Sequence, residues 1–539
     1  MSDRAAGTKS FMQKTLDVVE RVGNKVPHPA VIFLILIAIV IGLSHVMSMA
    51  GVTVAYEVIV PSAAPVDSPD GVEAVYDMGM TVDYEAIDPA EYTIEPREVA
   101  ARSLLTSDGI RFIYSSLIPN FMGFTAVGLM IVAMVGAGVA EEAGLVNALI
   151  RKLVIVSPSG ALTYILAFVG IVSSIGADAG YLVLIPLGGA AFISLGRHPL
   201  AGLALGFAAV AGAFTVNMLI KPLDAVLVEF TNDAIHLVDP ELSIGLTSNL
   251  WFSIASVVVL TLLIGFVTER VIEPRLGKYE GEKPSAEAAG ISPDESRGLR
   301  YAALAMAAVL IVFGLLTIPA AAPLRNPATG ELIGNSPFMN GLIALIMVSF
   351  LATGIAYGYG AKTLTSLTAV IKAIEKALAG LGGLIFLLLI ISQFVAYFNY
   401  SNMGTIMALK MSDLLKSSNI GPLPLLIGFV VVVAIIDLLI TGAIAKWAIF
   451  APIFVPLLVR LGVDPEAVLA AYRIGDSPMN AITPLNAYFA LVVGFAQKYD
   501  KQAGVGTVVS LMLPYVAWLF VVWTALFVAW FLLGLPWGL

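Results

Sequence analysis

The stretch Tyr472-Arg-Ile-Gly-Asp-Ser-Pro-Met-Asn-Ala-Ile-Thr-Pro484 lies inside a long apolar run, yet it contains charged, amide and helix-breaking residues. Arg473 and Asp476 are costly to bury in hydrocarbon, so each is a functional candidate by default. Gly475 and Pro478 favour a break, because proline removes a backbone donor and glycine is a poor helix former. The stretch therefore predicts a broken membrane helix, whose freed carbonyl groups bind a cation and whose half-helix N-terminus favours an anionic group.

The composition is that of a polytopic membrane protein. Of 539 residues, 59% are hydrophobic and only 12% are charged, whereas soluble domains have about 25% charged residues. The apolar residues form runs of about 20, the length that crosses a ~30 Å hydrocarbon core as a helix. The sequence has no basic cluster for nucleic acid, no cysteine for disulfides or thiolate chemistry, and four scattered histidines that indicate no metal site.

Nine apolar spans are predicted, at 29–48, 121–140, 200–222, 250–268, 301–318, 338–358, 379–398, 466–495 and 508–535. Their orientation follows from the lysines and arginines beside them, which favour the cytoplasmic side. The segment 1–28 and the loop 271–300 each contain five lysines and arginines and are expected inside. The loop 50–118 has twelve acids against three arginines and is expected outside, and the same alternation places the C-terminus outside.

Two further apolar segments, 160–196 and 421–461, do not fit as simple spans. Each is predicted to form two half-length helices around a small-residue break, at 173–180 in the first and 441–446 in the second. The charge pattern requires each segment to return to the side from which it entered. They are predicted to be re-entrant hairpins, the first from the cytoplasm and the second from outside, with the break surrounded by protein or a wet cavity.

The two segments also resemble each other. Gly-Ala-Asp-Ala-Gly-Tyr at 176–181 aligns with Gly-Ala-Ile-Ala-Lys-Trp at 442–447, and the same offset of 266 residues pairs further prolines and glycines. Hairpins that enter from opposite faces indicate an inverted-topology repeat, which places binding sites at broken elements in corresponding positions. The predicted fold is therefore an all-α polytopic membrane protein with nine transmembrane helices plus two re-entrant hairpins. Its predicted parts are the N-terminal segment 1–28, a first helix 29–48, the loop 50–118, a first repeat 121–270, the loop 271–300, scaffold helices 301–358, a second repeat 379–495 and a last helix 508–535.

Several polar residues in these elements are candidates for ion coupling. Asp178 at the first hairpin tip and Asp476 are expected to bind a cation or a proton, with Arg473 three residues earlier partly neutralising Asp476. Each aspartate has a structural alternative as a salt-bridge partner or helix cap. Amide and hydroxyl oxygens suit sodium, a hard cation, and the ion-coupling set is predicted to be Asp178, Asn217, Asp476, Asn480 and Thr483, with sodium possible at Asp178, Asn217, Asp476 and Asn480.

The second hairpin supplies two candidates for substrate contact, and each has an alternative. Lys446 would meet a substrate carboxylate, or it would serve as a structural counter-ion for Asp437. Trp447 would stack on an aromatic ring of the substrate, or it would pack like Tyr181, which occupies the matching place in the first hairpin.

Four stretches resemble signatures of a known family, the AbgT family of p-aminobenzoyl-glutamate transporters. They are SSIGADAGYLVLIPL, QFVAYFNYSNMGT, AKWAIFAPIFVPLL and YRIGDSPMNAITPLNAYFALV, and the resemblance runs from about residue 10 to the C-terminus. It implies nine transmembrane helices plus two re-entrant hairpins, a homodimer, and coupling to sodium or protons. It also implies import of p-aminobenzoyl-glutamate or export of sulfonamide antimetabolites. The functional positions that the resemblance implies are Asp178, Asn399, Trp447, Pro465, Arg473, Asp476 and Pro484.

The chain departs from this family pattern in the second hairpin. Ile444 takes the place of a polar binding residue, and Asp437 stands where the pattern has asparagine. These departures concern substrate and ion binding and leave the expected fold unchanged.

The sequence thus predicts a cation-coupled secondary transporter in a bacterial inner membrane. Its substrate is expected to be a small aromatic anion, its coupling ion sodium or a proton, and it is expected to need no cofactor. A sodium-coupled dicarboxylate or citrate carrier with the same hairpins is the nearest alternative. An intramembrane enzyme is disfavoured because the sequence has no HExxH motif and no serine–histidine or cysteine–histidine arrangement. The paired hairpins argue against a channel, and residue spacing leaves the direction of transport open.

Overall fold

The computed structural model describes residues 27–61, 92–175, 180–279, 291–333, 336–417 and 421–539. Its first half contains α1 Pro29–Met49, α2 Ser107–Ser115, α3 Leu117–Met122, α4 Thr125–Glu142, α5 Leu145–Ile155, α6 Leu162–Val172, α7 Ile185–Ser194, α8 Pro199–Gly212, α9 Pro222–Ile235, α10 Leu250–Val267 and α11 Glu273–Leu276. Its second half contains α12 Pro293–Thr317, α13 Pro337–Asn340, α14 Leu342–Ala361, α15 Leu367–Gly380, α16 Gly382–Tyr400, α17 Met403–Ser417, α18 Pro422–Asp437, α19 Ala443–Arg460, α20 Pro465–Asp476, α21 Phe489–Gln497 and α22 Val505–Leu532.

Among the described residues, eight helices are long and apolar enough to cross a membrane. They are Pro29–Met49, Thr125–Glu142, Leu250–Leu276, Pro293–Thr317, Leu342–Ala361, Gly382–Tyr400, Ala443–Arg460 and Val505–Leu532. Seven of them coincide with predicted spans, and the eighth is the second arm of the second predicted hairpin. The chain is therefore a polytopic helical membrane protein, as predicted, while the count of nine spans and two re-entrant hairpins stays a prediction.

Two of the predicted spans, 200–222 and 466–495, are not continuous helices. In the first, α8 ends at Gly212 and α9 begins only at Pro222. In the second, α20 ends at Asp476, a short 3₁₀ turn covers Pro478–Ala481, and α21 begins at Phe489. The second break was predicted from the prolines and glycine of the opening stretch. The first lies in the predicted apolar span 200–222, which contains the polar residues Thr215 and Asn217.

The predicted loop 50–118 contains regular structure that an all-α fold does not include. Strand β1 (Thr53–Pro61) pairs antiparallel with β2 (Tyr92–Ala100), with Thr53 opposite Ala100 and Pro61 opposite Tyr92. Both strands are rich in valine, isoleucine, threonine and tyrosine, which favour extended backbone. The sequence analysis did not predict this small sheet, and the fold is mostly helical as predicted.

Both predicted hairpin segments contain a pair of helices. In the first, α6 continues as one 3₁₀ turn to Ile175, and the chain returns from Gly180 through a π-helical turn into α7. Asp178 lies outside the described residues. In the second, α18 and α19 are joined by residues 438–442. Its second arm is longer than a half-length helix, because α19 has 18 residues and includes two prolines within its length.

The two halves repeat one another in detail. Gly196 and Gly462 both have positive φ, +72° and +76°, and each lies just before a proline that begins a helix. The side chain of Asn217 donates to the Val172 carbonyl at 3.0 Å, and Thr483 donates to the Leu438 carbonyl at 3.0 Å. Both hydrogen bonds are related by the predicted offset of 266 residues. Each therefore ties a broken helix to the tip of its own hairpin.

Candidate functional site

The breaks in the two interrupted helices lie against each other. The backbone N–H of Thr215 donates to Ser477 Oγ at 3.2 Å, and the hydroxyl of Thr215 donates to the Arg473 carbonyl at 3.0 Å. Thr215 follows α8, and Ser477 follows α20. The polar residues of both breaks therefore share one region. The prediction that symmetry brings Asp178 at the first hairpin tip close to Asp476 stays a prediction, because Asp178 lies outside the described residues.

A fully buried ion cluster links the second hairpin to the break in the helix after it. Lys446, in the first turn of α19, forms ion pairs with Asp437 at the end of α18 and with Asp476, whose Oδ1 lies 2.7 Å from its Nζ. All three side chains have 0% exposure. The hydroxyl of Tyr472 donates to Asp476 Oδ1 at 2.9 Å. Two carboxylates thus share one ammonium group, so the cluster has a formal charge of −1.

Arg473 does not neutralise Asp476, which corrects the expectation from their spacing. Its guanidinium donates to Asp224 Oδ1 at 2.7 Å, to the Thr215 carbonyl at 2.6 Å and to Asn249 Oδ1 at 3.2 Å. Asp224 lies in the first turn of α9, beyond the break in the other half. The Arg473–Asp224 pair is therefore an ion pair between the two repeats.

A cavity of about 410 Å³ lies between the two breaks and the helices that face them. Helix α4 contributes Met130 and Met134 to its apolar wall, and α16 contributes Leu384. The polar part of the wall consists of Glu141, Ser174, Tyr181, Lys221, Thr441, Asn480, Asn486 and Tyr488. Such a volume and such a mixture of apolar and polar groups are typical of small-molecule sites.

Several of the carbonyl groups freed by the breaks accept side-chain hydrogen bonds. Lys221 Nζ donates to Phe214 O at 2.5 Å, and Arg473 donates to Thr215 O. The amide of Asn480 donates to Asp476 O at 2.7 Å, and the amide of Asn486 to Asn480 O at 2.9 Å. The irregular backbone is therefore stabilised by the protein itself, as non-helical segments at membrane depth require.

The predicted aromatic contact, Trp447, is in the core and is not part of the cavity wall. Its indole N–H donates to Leu227 O at 3.0 Å and to Thr231 Oγ1 at 3.1 Å, and its ring packs on Tyr472 at 4.4 Å between centroids. The cavity instead has a stacked pair, Tyr181 and Tyr488, with ring centroids 4.2 Å apart. Substrate stacking on Trp447 stays a prediction.

The remaining predicted positions are distributed over several elements of the fold. Pro465 is the first residue of α20 and is buried, and Pro484 lies in the irregular segment before α21. Asn217 and Thr483 bind the hairpin tips, as described above. Asn399 lines a separate small pocket beside Phe230 and Asp233. Of the predicted residues that the structure describes, Asn480 alone lines the main cavity.

Three site residues were not singled out in the sequence: Lys221, Asp224 and Asn486. The Lys221-Pro222 pair was a usable signal, because proline at a first helical position marks a helix start and thus a break before it. Asp224 follows in the first helical turn, where acidic residues are favoured.

Two buried carboxylate oxygens of the ion cluster fit a coupling ion. Asp476 Oδ2 and Asp437 Oδ2 are both inaccessible to solvent and have no hydrogen-bond partner among the described residues, and Asp476 lies at the helix break. A carboxylate oxygen in that state fits a bound proton or a hard cation, which prefers oxygen ligands. Asn480 follows in the adjacent 3₁₀ turn and would supply an amide oxygen for such a cation. No group of three or more histidine, cysteine or acidic side chains suited to a metal occurs in the described ranges.

Two helix–break–helix elements, each following a hairpin and packed around a polar cavity, define a membrane transport protein. The sequence matches the model of the AbgT putative transporter family over residues 14–539, and the chain belongs to that family.

Individual relatives agree with this assignment. The chain is 31% identical over 538 residues to the p-aminobenzoyl-glutamate transport protein of Escherichia coli (strain K12), covering 100% of this chain and 98% of that protein. The crystal structure of the Alcanivorax borkumensis YdaH transporter superposes with a TM-score of 0.84 and 38% identity, covering 95% of this chain and 100% of that one. The structure of Neisseria gonorrhoeae MtrF, which represents a class of antimetabolite efflux pumps, also superposes with a TM-score of 0.84. It is 36% identical, and the match covers 96% of this chain and 97% of that one.

Proposed function

We propose that this chain is a cation-coupled secondary transporter of small aromatic anions, of the p-aminobenzoyl-glutamate or sulfonamide type. The observation that carries the proposal is the buried carboxylate pair around Lys446, with an unpartnered oxygen on Asp476 at the break of a helix. A buried excess of negative charge is costly unless a cation or proton compensates it. Asp476 is therefore the group to which the coupling ion, sodium or a proton, would bind.

The substrate class is supported by the cavity. Its apolar wall and its stacked tyrosine pair suit an aromatic ring, and its amides and the Lys221 ammonium group suit a polar or anionic end. The Escherichia coli relative is a transport protein for p-aminobenzoyl-glutamate, and MtrF is associated with antimetabolite efflux. p-Aminobenzoyl-glutamate and the sulfonamide antimetabolites both contain a para-substituted aniline ring, which is the common feature that we propose for this site.

The coupling proposal is tested with Asp476→Asn and Asp178→Asn in proteoliposomes, with sodium and pH gradients varied independently. Asp476→Asn nearly preserves size and leaves Lys446 paired with Asp437, so the protein should fold. We expect each variant to lose gradient-driven transport of 4-aminobenzoyl-glutamate and sulfanilamide. Exchange at equilibrium should persist, since exchange need not release the coupling ion.

The matched control is Asp108→Asn, because the Asp108 side chain is 81% exposed and its pairing with Arg111 is local. Wild-type rates in both membrane variants, with unchanged dependence on sodium and pH, would show that the carboxylates are structural. Saturable uptake of succinate or citrate, with no uptake of the aromatic compounds, would favour the dicarboxylate carrier instead.

The setting of the transporter is part of the same proposal. We expect a homodimer in a bacterial inner membrane, with the N-terminus cytoplasmic, the C-terminus outside and the contact made by helices outside the hairpin units. Only 11% of the most apolar 18-residue stretch of helix α12 is buried within the protomer, so the surface of this helix is available to lipid or to a second copy of the chain. Mass measurement by light scattering in mild detergent and crosslinking in lipid test the dimer, and a monomer in both would exclude it.

A further inference from the structure

Lys221 places a buried ammonium group at the wall of the cavity. It is the last residue of the first break, its side chain is 2% exposed, and Pro222 begins α9 immediately after it. Its Nζ donates to Phe214 O at 2.5 Å and lies 3.4 Å from Ser174 Oγ. These contacts fix the ammonium group between the break and the end of the first hairpin arm, beside the cavity that all three residues line.

This ammonium group has no carboxylate within 4.0 Å in the part of the chain that the structure describes. Asp224, the nearest acid along the chain, is already occupied. Its Oδ1 accepts from Arg473 at 2.7 Å, and its Oδ2 accepts from the backbone N–H of Lys221 at 2.9 Å. A buried cation whose hydrogen bonds go only to neutral oxygens is poorly compensated, and an anion from the cavity would complete it.

The groups around Lys221 indicate what the remainder of such an anion would look like. The Phe214 ring lies 5.1 Å from its Nζ, and the stacked rings of Tyr181 and Tyr488 form another part of the same wall. Met130 and Met134 on α4 complete an apolar surface. The acid of the cavity wall, Glu141, lies in the last turn of α4. A flat aromatic ring with an attached carboxylate at Lys221 matches the combination of this cation with several aromatic and thioether groups.

We propose that Lys221 binds the carboxylate of the substrate and makes the site prefer aromatic carboxylates to neutral sulfonamides with the same ring. This inference rests on the proposed function of the cavity as a site for aromatic compounds. It assigns the preference to one residue, which stands in the opposite repeat from Asp476 and Lys446.

The test compares two ligands that share an aniline ring, 4-aminobenzoate with its carboxylate and sulfanilamide with its neutral sulfonamide. Binding of each is measured by titration calorimetry to the purified full-length protein in detergent. The variants are Lys221→Met and Lys221→Gln, which remove the charge, and Lys221→Arg, which retains it. A neutral ester, ethyl 4-aminobenzoate, is titrated into the wild-type protein.

We expect both neutral variants to bind 4-aminobenzoate at least tenfold more weakly, as the loss of one charge-assisted hydrogen bond implies. Their affinity for sulfanilamide should change less than twofold, and Lys221→Arg should recover most of the affinity for 4-aminobenzoate. The wild-type protein should bind the ester at least tenfold more weakly than the acid, a result that needs no variant to fold.

Three results would overturn the proposal. Equal losses for both ligands would show that Lys221 supports the break through Phe214. Unchanged affinity for 4-aminobenzoate, or equal affinity for ester and acid, would show that no carboxylate binds this ammonium group. If the wild-type protein binds neither aromatic compound, the proposed function falls together with this inference, whereas the other results overturn the inference alone.

Discussion

Replacing Lys446 by methionine should destabilise the protein strongly. Lys446 is the ammonium group between Asp437 and Asp476, and none of the three side chains is exposed to solvent. Methionine approximates the aliphatic part of lysine, so the change removes the charge and leaves little empty space. Two carboxylates would then lie together without their common cation.

The magnitude follows from the burial of the cluster. Removing one partner of a buried ion pair costs about 3–5 kcal/mol, because the remaining charge is not compensated. Lys376 provides the matched control, since it pairs with Glu142 at 2.8 Å but is 71% exposed. An exposed pair contributes about 0–1 kcal/mol. Lys446→Met loses two buried ion pairs and Lys376→Met loses one exposed ion pair, so the two variants should differ by several kcal/mol.

The assay is thermal unfolding of the purified variants in one detergent, followed by intrinsic tryptophan fluorescence at a fixed heating rate. Lys446→Met should unfold well below Lys376→Met, which should match the wild type. The double variant Lys446→Met/Asp437→Asn should recover part of the loss, because one of the two uncompensated carboxylates becomes neutral. Equal unfolding temperatures for Lys446→Met and Lys376→Met would refute the reasoning that the cluster is charged and buried.

Three further predictions concern packing and topology. Gly188→Ala should destabilise the protein by about 1–3 kcal/mol, because the added Cβ would lie 2.5 Å from the Gly202 carbonyl oxygen. The control Gly428→Ala, whose added Cβ has no neighbour within 4 Å, should be neutral or stabilising. Equal melting temperatures for the two variants would contradict the close contact at Gly188. Trp447→Phe should lower stability by about 1–2 kcal/mol by removing the indole donor, and an unchanged melt would contradict that role. For side-specific labelling, single cysteines are placed in this cysteine-free chain at Arg151, His198, Asn419 and Asp464. The first two should react only from the cytoplasm and the last two only from outside, and flanks of one hairpin that react from opposite sides would exclude a re-entrant topology.

The repeat is the part of the fold that the sequence predicts best. An offset of 266 residues, found in a short alignment of glycines and prolines, also relates the hydrogen bonds of Asn217 and Thr483 to their hairpin tips. Glycine and proline report backbone conformation directly, since a positive φ or a helix start restricts which residue fits. An alignment of glycines and prolines therefore indicates that the two segments share a backbone conformation, even when their side-chain contacts are unknown.

The ion pairs could not be predicted in the same way. Arg473 and Asp476 are three residues apart on one helix, a spacing that permits an ion pair. In the folded chain Asp224, 249 positions away in sequence, offers a carboxylate to the guanidinium, and Lys446 occupies the position beside Asp476. The spacing of residues along one helix shows which ion-pair partners are possible within that helix. Partners from other helices, such as Asp224 and Lys446 here, are known only from the tertiary structure. The alternative in which Lys446 is a counter-ion for Asp437 was among the sequence interpretations, and the structure agrees with it.

The buried charges described above are balanced in number but not in position. Lys221, Arg473 and Lys446 are the cations, and Asp224, Asp437 and Asp476 are the carboxylates, none of them more than 8% exposed. Arg473 and Asp224 satisfy each other, whereas Lys446 is shared by two carboxylates and Lys221 contacts none among the described residues. The excess negative charge therefore lies at the second hairpin and the excess positive charge at the first break. A bound cation would compensate the negative excess at the second hairpin, and a bound anion would compensate the positive excess at the first break. Each ligand would therefore remove an uncompensated charge that the other ligand leaves in place. This separation of opposite charges is the physical basis of the coupling that we propose between an anionic substrate and a cation.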